Sequence, residues 1–410
     1  MQPNHEIKSQ KDLLNHFGSS LKLEILDLQH IERYLERNMP PEVWEDASNR
    51  NLLSFNQELV QGTKQFIFYK RGIQYFHLVS FLTNLTELQL QNNKISDISS
   101  ISKLKNLKKL ELNNNFIEDI SALQSLPDLI YLDLCRNKLT SYTLALPSLE
   151  VLSIYSNPLQ DISGLQHAPK LQRLDLSKTE TTDILTISQL FQLIVLDLSS
   201  NSIMEISHLS NSVNLLFLDL SFNKQLLNIG PLKFCTQLIQ LRIHETRVAD
   251  IWPLQFLKNL KSLDMNNTKV VDLHPLQYLY KLEIINALGA CIIDLSPLKK
   301  LTQLNSLYFS CNNITNGETL KHHQYFSQYD FSDQEVPSDV ELKFYNKILK
   351  VHRSHKQIRK IQAENKISKF RESTTRQQEY IYLKINEQIR AVNMKIEIWA
   401  QFIQNSNADQ

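Results

Sequence analysis

The 410-residue chain is predicted to fold as an α/β solenoid: a curved parallel sheet of short strands with short helical turns on its convex side, a helical N-terminal region and a two-helix C-terminal tail. Three observations predict it. A frame of apolar residues returns at a near-constant interval, each frame contains a two-residue alternation, and an asparagine stands where most of those alternations end.

The frame is plainest in Leu85-x-x-Leu88-x-Leu90-x-x-Asn93-x-Ile95-x-x-Ile98, which Leu107-x-x-Leu110-x-Leu112-x-x-Asn115-x-Ile117-x-x-Ile120 repeats position by position. It recurs from Leu129, Leu149, Leu171, Leu193, Leu215, Leu238, Leu260, Leu282 and Leu304, at steps of 22 residues except for one of 20 and one of 23. A constant step of this size marks stacked units, none of which can bury its apolar face alone. Phe66-x-Phe68-x-x-Arg71-x-Ile73-x-x-Phe76 fits as a degenerate first unit, which gives about 12 repeats over residues 63–320.

These residues resemble the leucine-rich repeat family, whose LxxLxLxxN consensus they reproduce. The step of 22 and the Asp-Ile-Ser stretches are most similar to intracellular arrays such as the regulatory subunits of protein phosphatase 1, and to bacterial internalins. The resemblance implies a non-catalytic interaction scaffold. In the phosphatase regulators, acids and aromatics of the concave face engage the catalytic subunit; Glu111, Asp133, Asp175, Asp197, Asp219 and Phe217 stand in comparable positions here. No tryptophan lies in the outward columns, and the tail does not match that family's terminal cap.

Each element has a local reason. In Leu88-Gln89-Leu90 the alternation gives one short strand per unit, leucines inward and Gln89 outward. Asn93, Asn115, Asn137, Asn157, Asn201, Asn223 and Asn312 follow the strand, where a side-chain amide can satisfy buried backbone groups of neighbouring coils, so they should form an internal ladder. Thr179, Thr246 and Thr268 can keep part of that bonding and Ala290 none, which makes the coil around 282–295 the expected weak point. Runs such as Ile101-x-x-Leu104 and Leu123-x-x-Leu126 read as helical turns. Pro231, Pro253, Pro275 and Pro297 suit the first helical position, with Gly230, Trp252, His274 and Ser296 as the caps before them.

Outside the array, residues 1–62 carry apolar residues at helical spacing (Leu21, Ile25, Leu28, Ile31, Leu35) and read as a helical cap region. Residues 321–337 read as a linker or degenerate cap. From Ser338 the chain becomes basic and helical, with a break near 372–375; residues 338–410 hold 14 basic and 8 acidic residues, while the rest of the chain is net negative. Ile385, Ile389, Val392, Ile396, Trp399 and Ile403 form a heptad-like seam, which either packs on the first tail helix or forms a coiled coil with another chain.

Composition excludes several classes. With 42% hydrophobic and 21% charged residues and a net charge of +1, the chain is globular. Its 7 glycines form no phosphate-binding loop, so no nucleotide cofactor is implied. Cys135, Cys235, Cys291 and Cys311 are widely spaced, and the N-terminus lacks a signal-like segment, so a cytoplasmic placement is expected, with the nucleus left open. There is no transmembrane run. The pair His352-x-x-His355 lacks further ligands, so no metal is expected, and no nucleophile is paired with a histidine motif, so no catalytic residue is assigned.

The candidate site is therefore the outward face of the sheet: Glu111, Asp133, Asp175, Asp197, Asp219, Arg242 and Asp264 in the central column, flanked by Tyr131, Val151, Val195 and Phe217 on one side and Tyr155 on the other. Aspartate is a tolerated polar residue in such strands, and the acids read equally as solvated decoration. The apolar members read as exposed groups clustered for a protein partner. The basic tail offers a second partner site or self-docking; lacking interleaved aromatics, it disfavours nucleic acid, and contact with nucleic acid or an anionic membrane through it is the alternative function.

Overall fold

A computed structural model describes residues 65–67, 79–80, 82–320 and 328–330. The expected helices of 1–62 and 338–410 lie outside the described residues. The chain divides into two compact units, Met1–Pro337 and Ser338–Gln410, and every described residue belongs to the first.

Thirteen three-residue strands form one open parallel sheet in chain order: β1 Gln65–Ile67, β2 Glu87–Gln89, β3 Lys109–Glu111, β4 Tyr131–Asp133, β5 Val151–Ser153, β6 Arg173–Asp175, β7 Val195–Asp197, β8 Phe217–Asp219, β9 Gln240–Arg242, β10 Ser262–Asp264, β11 Ile284–Asn286, β12 Ser306–Tyr308 and β13 Gln328–Asp330. Leu88, Leu110, Leu132, Leu152 and Leu174 stand opposite one another, so equivalent frame positions fall in register and their side chains stack inside the array. The first strand joins with Phe66 opposite Leu88. The sheet also continues into the segment read as a linker or degenerate cap: β13 pairs Tyr329 with Leu307, in a stretch whose aromatic residues hide the leucine frame.

Each strand from β2 to β12 is cut short by a left-handed turn. The residue before every ladder position from Asn92 to Cys311 has φ between 51° and 63°. Glycine fills that place only at Gly289; Arg136, Lys178 and Phe222 take it at a cost of about 1 kcal/mol each. The asparagine ladder holds this turn. Asn115 donates from Nδ2 to the Leu112 and Leu90 carbonyls (both 2.9 Å) and accepts the Ile95 amide on Oδ1 (3.0 Å), joining its own coil to the preceding one. Thr179, Thr246 and Thr268 keep the bond within their own coil, to the carbonyls of Leu176, Ile243 and Met265, and make none to a carbonyl of the preceding coil; Thr179 also meets Asn201 Oδ1 of the following coil at 3.2 Å.

The helical turns are 3-10 segments, and no α-helix occurs among the described residues. Ser99–Lys103 and Ser121–Ser125 show why: with apolar residues three apart and five residues to spend, three residues per turn places both in the core. The expected caps at Gly230, Trp252, His274 and Ser296 are corrected. Each is already the first residue of its segment, and the capping oxygen comes from two residues earlier, where Asn228, Asp250, Asp272 and Asp294 accept their amides at 2.7–2.9 Å. Asp97, Asp119, Asp161 and Asp183 do the same in the earlier coils, which explains the recurring aspartate before isoleucine.

The 20-residue step differs. Between β4 and β5 there is no 3-10 segment; the chain runs extended, Ser141 bridges to Asp161, and Tyr142 packs fully buried where other coils place isoleucine.

Candidate functional site

Parallel register turns the outward positions of β4 to β10 into columns. Tyr131, Val151, Arg173, Val195 and Phe217 form the first, and Asp133, Ser153, Asp175, Asp197, Asp219, Arg242 and Asp264 the second. Neighbouring members are one strand spacing apart, about 4.8 Å.

The aspartates are not free side chains: Asp133, Asp175 and Asp197 are half-buried and all of them are hydrogen-bonded. Oδ1 of Asp133, Asp175, Asp197 and Asp219 accepts the amide two residues on, from Cys135, Ser177, Ser199 and Ser221, at 2.9–3.0 Å. Asp264 does the same for Asn266 at 3.2 Å. The acid in the strand therefore ties down the first amide of the turn, a structural duty that the solvated reading overlooks. Asp219 and Asp264 are buried, 4% and 8% exposed. Their other oxygens meet the Arg242 guanidinium at 3.4 Å and the His244 imidazole at 3.3 Å.

Asp175, Asp197 and Asp219 stand side by side on adjacent strands, and Arg242 meets the Asp219 end of the row. Burial, then the charges of Asp219 and Asp175, push the Asp197 carboxyl up to about 7. Burial likewise raises Asp133 and Asp175 against the hydrogen bonds they accept. At His244 burial opposes the proton, but the hydrogen bond and charge of Asp264, with Asp219 behind it, outweigh burial and raise it.

The apolar members differ from the expectation of exposed side chains. Phe217 is buried, 6% exposed, because Arg242 on the next strand lays its guanidinium 5.4 Å from the ring centroid while reaching Asp219. Tyr131, Val151, Val195 and Tyr155 are half-buried. Tyr155 stands between Arg136 and Lys178, whose charged groups lie 5.4 and 5.7 Å from its ring centroid. Lys109 covers Tyr131 at 5.3 Å and reaches Glu111 at 2.7 Å. These cations were missed in the sequence because Arg136 and Lys178 sit at the left-handed turn, a column not read as outward-facing; the fixed offset from the asparagine would have found them.

Ser221, His244 and Asp264 come together, yet both the Ser221 hydroxyl (2.8 Å) and the Asp264 carboxylate (3.3 Å) meet the same nitrogen, Nδ1 of His244, and Ser221 is buried. A relay needs the two partners on opposite nitrogens. No group of three His, Cys, Asp or Glu residues among the described ones can hold a metal ion. A hollow of about 700 Å³ lies away from the strand face, between Ser96–Ser102 and Asp119–Ser125.

The titrations have a measurable consequence. A carboxyl raised by folding destabilises the folded state once ionised, so stability falls as pH climbs from the unfolded value near ~4 towards about 7 for Asp197. His244 adds stability in full below its unfolded value near ~6.5, and that contribution is lost as pH rises through its raised folded value. Asp119, Asp272 and Asp294 are lowered, so their contribution disappears only in stronger acid. The array should melt at a higher temperature at pH 5 than at pH 8. Asp197→Asn, which keeps an oxygen for the Ser199 amide, should raise the melting temperature strongly at pH 8 and much less at pH 5. Equal shifts at both pH values would rule out ionisation as the cause.

Among the described residues no helix is long and apolar enough to cross a membrane. A family model described as leucine-rich repeats (two copies) matches residues 83–125 and 106–146. Among solved structures, an internalin, InlF, from Listeria monocytogenes matches with a TM-score of 0.67 at 29% identity, covering 69% of this chain and 84% of that one. The functional domain of InlJ from the same organism, described as including a cysteine ladder, matches with a TM-score of 0.57 at 24% identity, covering 68% of this chain and 64% of that one. Here the four cysteines are free and fall at four different repeat positions, so they build no such ladder. A search of curated proteins gave no match. A frame of constant length, folded into in-register coils with an asparagine ladder and similar to an internalin over most of the array, gives the described residues a leucine-rich repeat fold, and residues 83–146 match the leucine-rich repeat family model itself.

Proposed function

We propose that the chain is a non-catalytic scaffold that binds a partner protein on the outward face of β4 to β10. Leucine-rich repeat proteins generally serve as protein-interaction scaffolds. The observation that carries the reading is the adjacency of two columns: half-buried Tyr131, Val151 and Val195 beside aspartates whose one oxygen is already fixed by a turn amide. Such a face presents apolar contact next to a row of carboxyl groups at Asp175, Asp197 and Asp219. It suits a protein surface offering apolar side chains bordered by Lys or Arg.

Tyr155 is the best-placed anchor, a ring held upright by two flanking cations. Tyr155→Ala with Val151→Ser should reduce retention of the partner in affinity purification by about thirtyfold, the effect of losing a hot spot, with little change in the melting temperature. Retention equal to that of the unchanged chain would end this reading. Phe217 is unsuitable for the test, since its burial makes truncation a stability change.

A phosphatase regulatory role would use the same face, and no observation selects that partner. The free thiols of Cys135, Cys235, Cys291 and Cys311 support the cytoplasmic placement. The alternative, contact of the basic 338–410 segment with nucleic acid or an anionic membrane, rests on residues outside the described ones.

A further inference from the structure

One edge of the array has a composition unlike the rest. From the end of the 3-10 segment towards the next strand, four consecutive coils read Lys233-Phe234-Cys235-Thr236-Gln237, Gln255-Phe256-Leu257-Lys258-Asn259, Gln277-Tyr278-Leu279-Tyr280-Lys281 and Lys299-Lys300-Leu301-Thr302-Gln303. These four stretches contain five lysines, four aromatics and no acid. In each, the central Cys235, Leu257, Leu279 or Leu301 is fully buried and fixes the stretch to the core.

Phe234, Phe256 and Tyr278 occupy the same repeat position on consecutive coils, and each is 49% exposed. Tyr280 is 53% exposed; at its repeat position stand Phe191 (60%) and Val213 (45%) on two earlier coils, with Thr236 and Lys258 on the coils between. Lysine amines lie among the rings: Lys233 Nζ is 4.9 Å from the Phe234 centroid and Lys258 Nζ 5.1 Å from that of Tyr278. Phe234, Phe256 and Tyr278, on three consecutive coils, form a row of large exposed rings, which on a folded chain marks a contact site.

We propose that this edge docks on an anionic lipid bilayer. Aromatic rings partition to the headgroup level, and lysines beside them meet lipid phosphate and serine carboxylate while their stems stay with the rings. The absence of acids along the edge removes the repulsion that an anionic surface would otherwise meet. Stacking of nucleic-acid bases is disfavoured by the same geometry, because lysine amines already cover the ring faces of Phe234 and Tyr278. The proposal is independent of the strand face, so its failure leaves the partner-binding reading standing.

The test is co-sedimentation of the full chain with vesicles of phosphatidylcholine and phosphatidylserine, against phosphatidylcholine alone. Two variants are compared with the unchanged chain: Phe234→Ser with Phe256→Ser and Tyr278→Ser, and Lys258→Glu with Lys281→Glu. All five side chains are exposed, so thermal melts should confirm that both variants fold. Since one lysine near an anionic surface changes partitioning about fivefold, each variant should lose about tenfold or more of its binding to the mixed vesicles. No sedimentation of the unchanged chain with mixed vesicles would overturn the proposal. Undiminished sedimentation of both variants would assign the lipid contact elsewhere, the basic tail included, and overturn it as well. So would loss of binding to polyglutamate or single-stranded DNA in the variants with vesicle binding intact.

Discussion

Gly164→Ala is expected to lower the melting temperature of the array by about 10 °C, the consequence of roughly 3 kcal/mol of overpacking in a repeat domain of this size. A β-carbon on Gly164 would lie 2.6 Å from the Leu144 amide nitrogen and the Thr143 carbonyl carbon, and 2.7 Å from the Tyr142 oxygen. All three are backbone atoms, so no side chain can swing aside. The same glycine donates its amide to the Tyr142 carbonyl at 2.9 Å, and Tyr142 donates to Asp161 at 2.7 Å, so separating the strands of chain to admit a methyl would also break hydrogen bonds. Tyr142 itself is fully buried with its hydroxyl unpartnered, which leaves little slack on that side. Gly317→Ala is the control within the same array, since nothing lies within 4 Å of its added carbon, and it should melt with the unchanged chain. Coincident melting of Gly164→Ala would show that the junction between the short coil and the next one is looser than described.

This close approach follows from the two residues missing between Leu129 and Leu149. The sequence displays the shortened step but not its consequence, because the loss of a 3-10 segment is compensated by a contact with the following coil, at a glycine that no repeat rule singles out. The frame, the strand positions, their register and the asparagine ladder were legible, since each depends on one residue type recurring at one offset. The strand at Gln328–Asp330 was hidden because its inward position is Tyr329 and not leucine.

The candidate site was legible only as positions. Which residues face outward follows from alternation, but how far they are covered depends on neighbours a full coil away in sequence. Phe217 was read as exposed because its column faces out; Arg242, 25 residues later, covers it. The aspartates were read as partner groups or decoration, whereas the Asp-x-Ser pattern of Asp175-Leu176-Ser177 and Asp219-Leu220-Ser221 already indicates a carboxylate bonding the amide two residues on.

Asn223→Ala should destabilise the array by about 3 kcal/mol or more, because it strands buried backbone groups on two coils at once. Asn223 is fully buried; its Nδ2 donates to the Leu198 carbonyl at 3.0 Å and the Leu220 carbonyl at 2.8 Å, and its Oδ1 accepts the Ile203 amide at 2.9 Å. It also follows Phe222, a bulky residue held at φ 59°, a conformation that favours unfolding once its restraint is gone. Asn223→Thr should fall between the two, keeping the bond to Leu220 as Thr179 keeps its bond to Leu176 at 2.6 Å, while losing the link to the previous coil. Urea melts of the three chains should therefore rank Asn above Thr above Ala. The reciprocal change tests the same cause from the other side: Ala290 is the one position of the ladder with no side-chain donor or acceptor, and Ala290→Asn would offer Oδ1 to the Val270 amide and Nδ2 to the Met265 carbonyl, the groups that the ladder offset assigns to it. If Ala290→Asn stabilises while Asn223→Ala destabilises, the ladder is an additive set of links between coils; if all three variants at position 223 melt together, stacking of the leucines alone holds neighbouring coils in register.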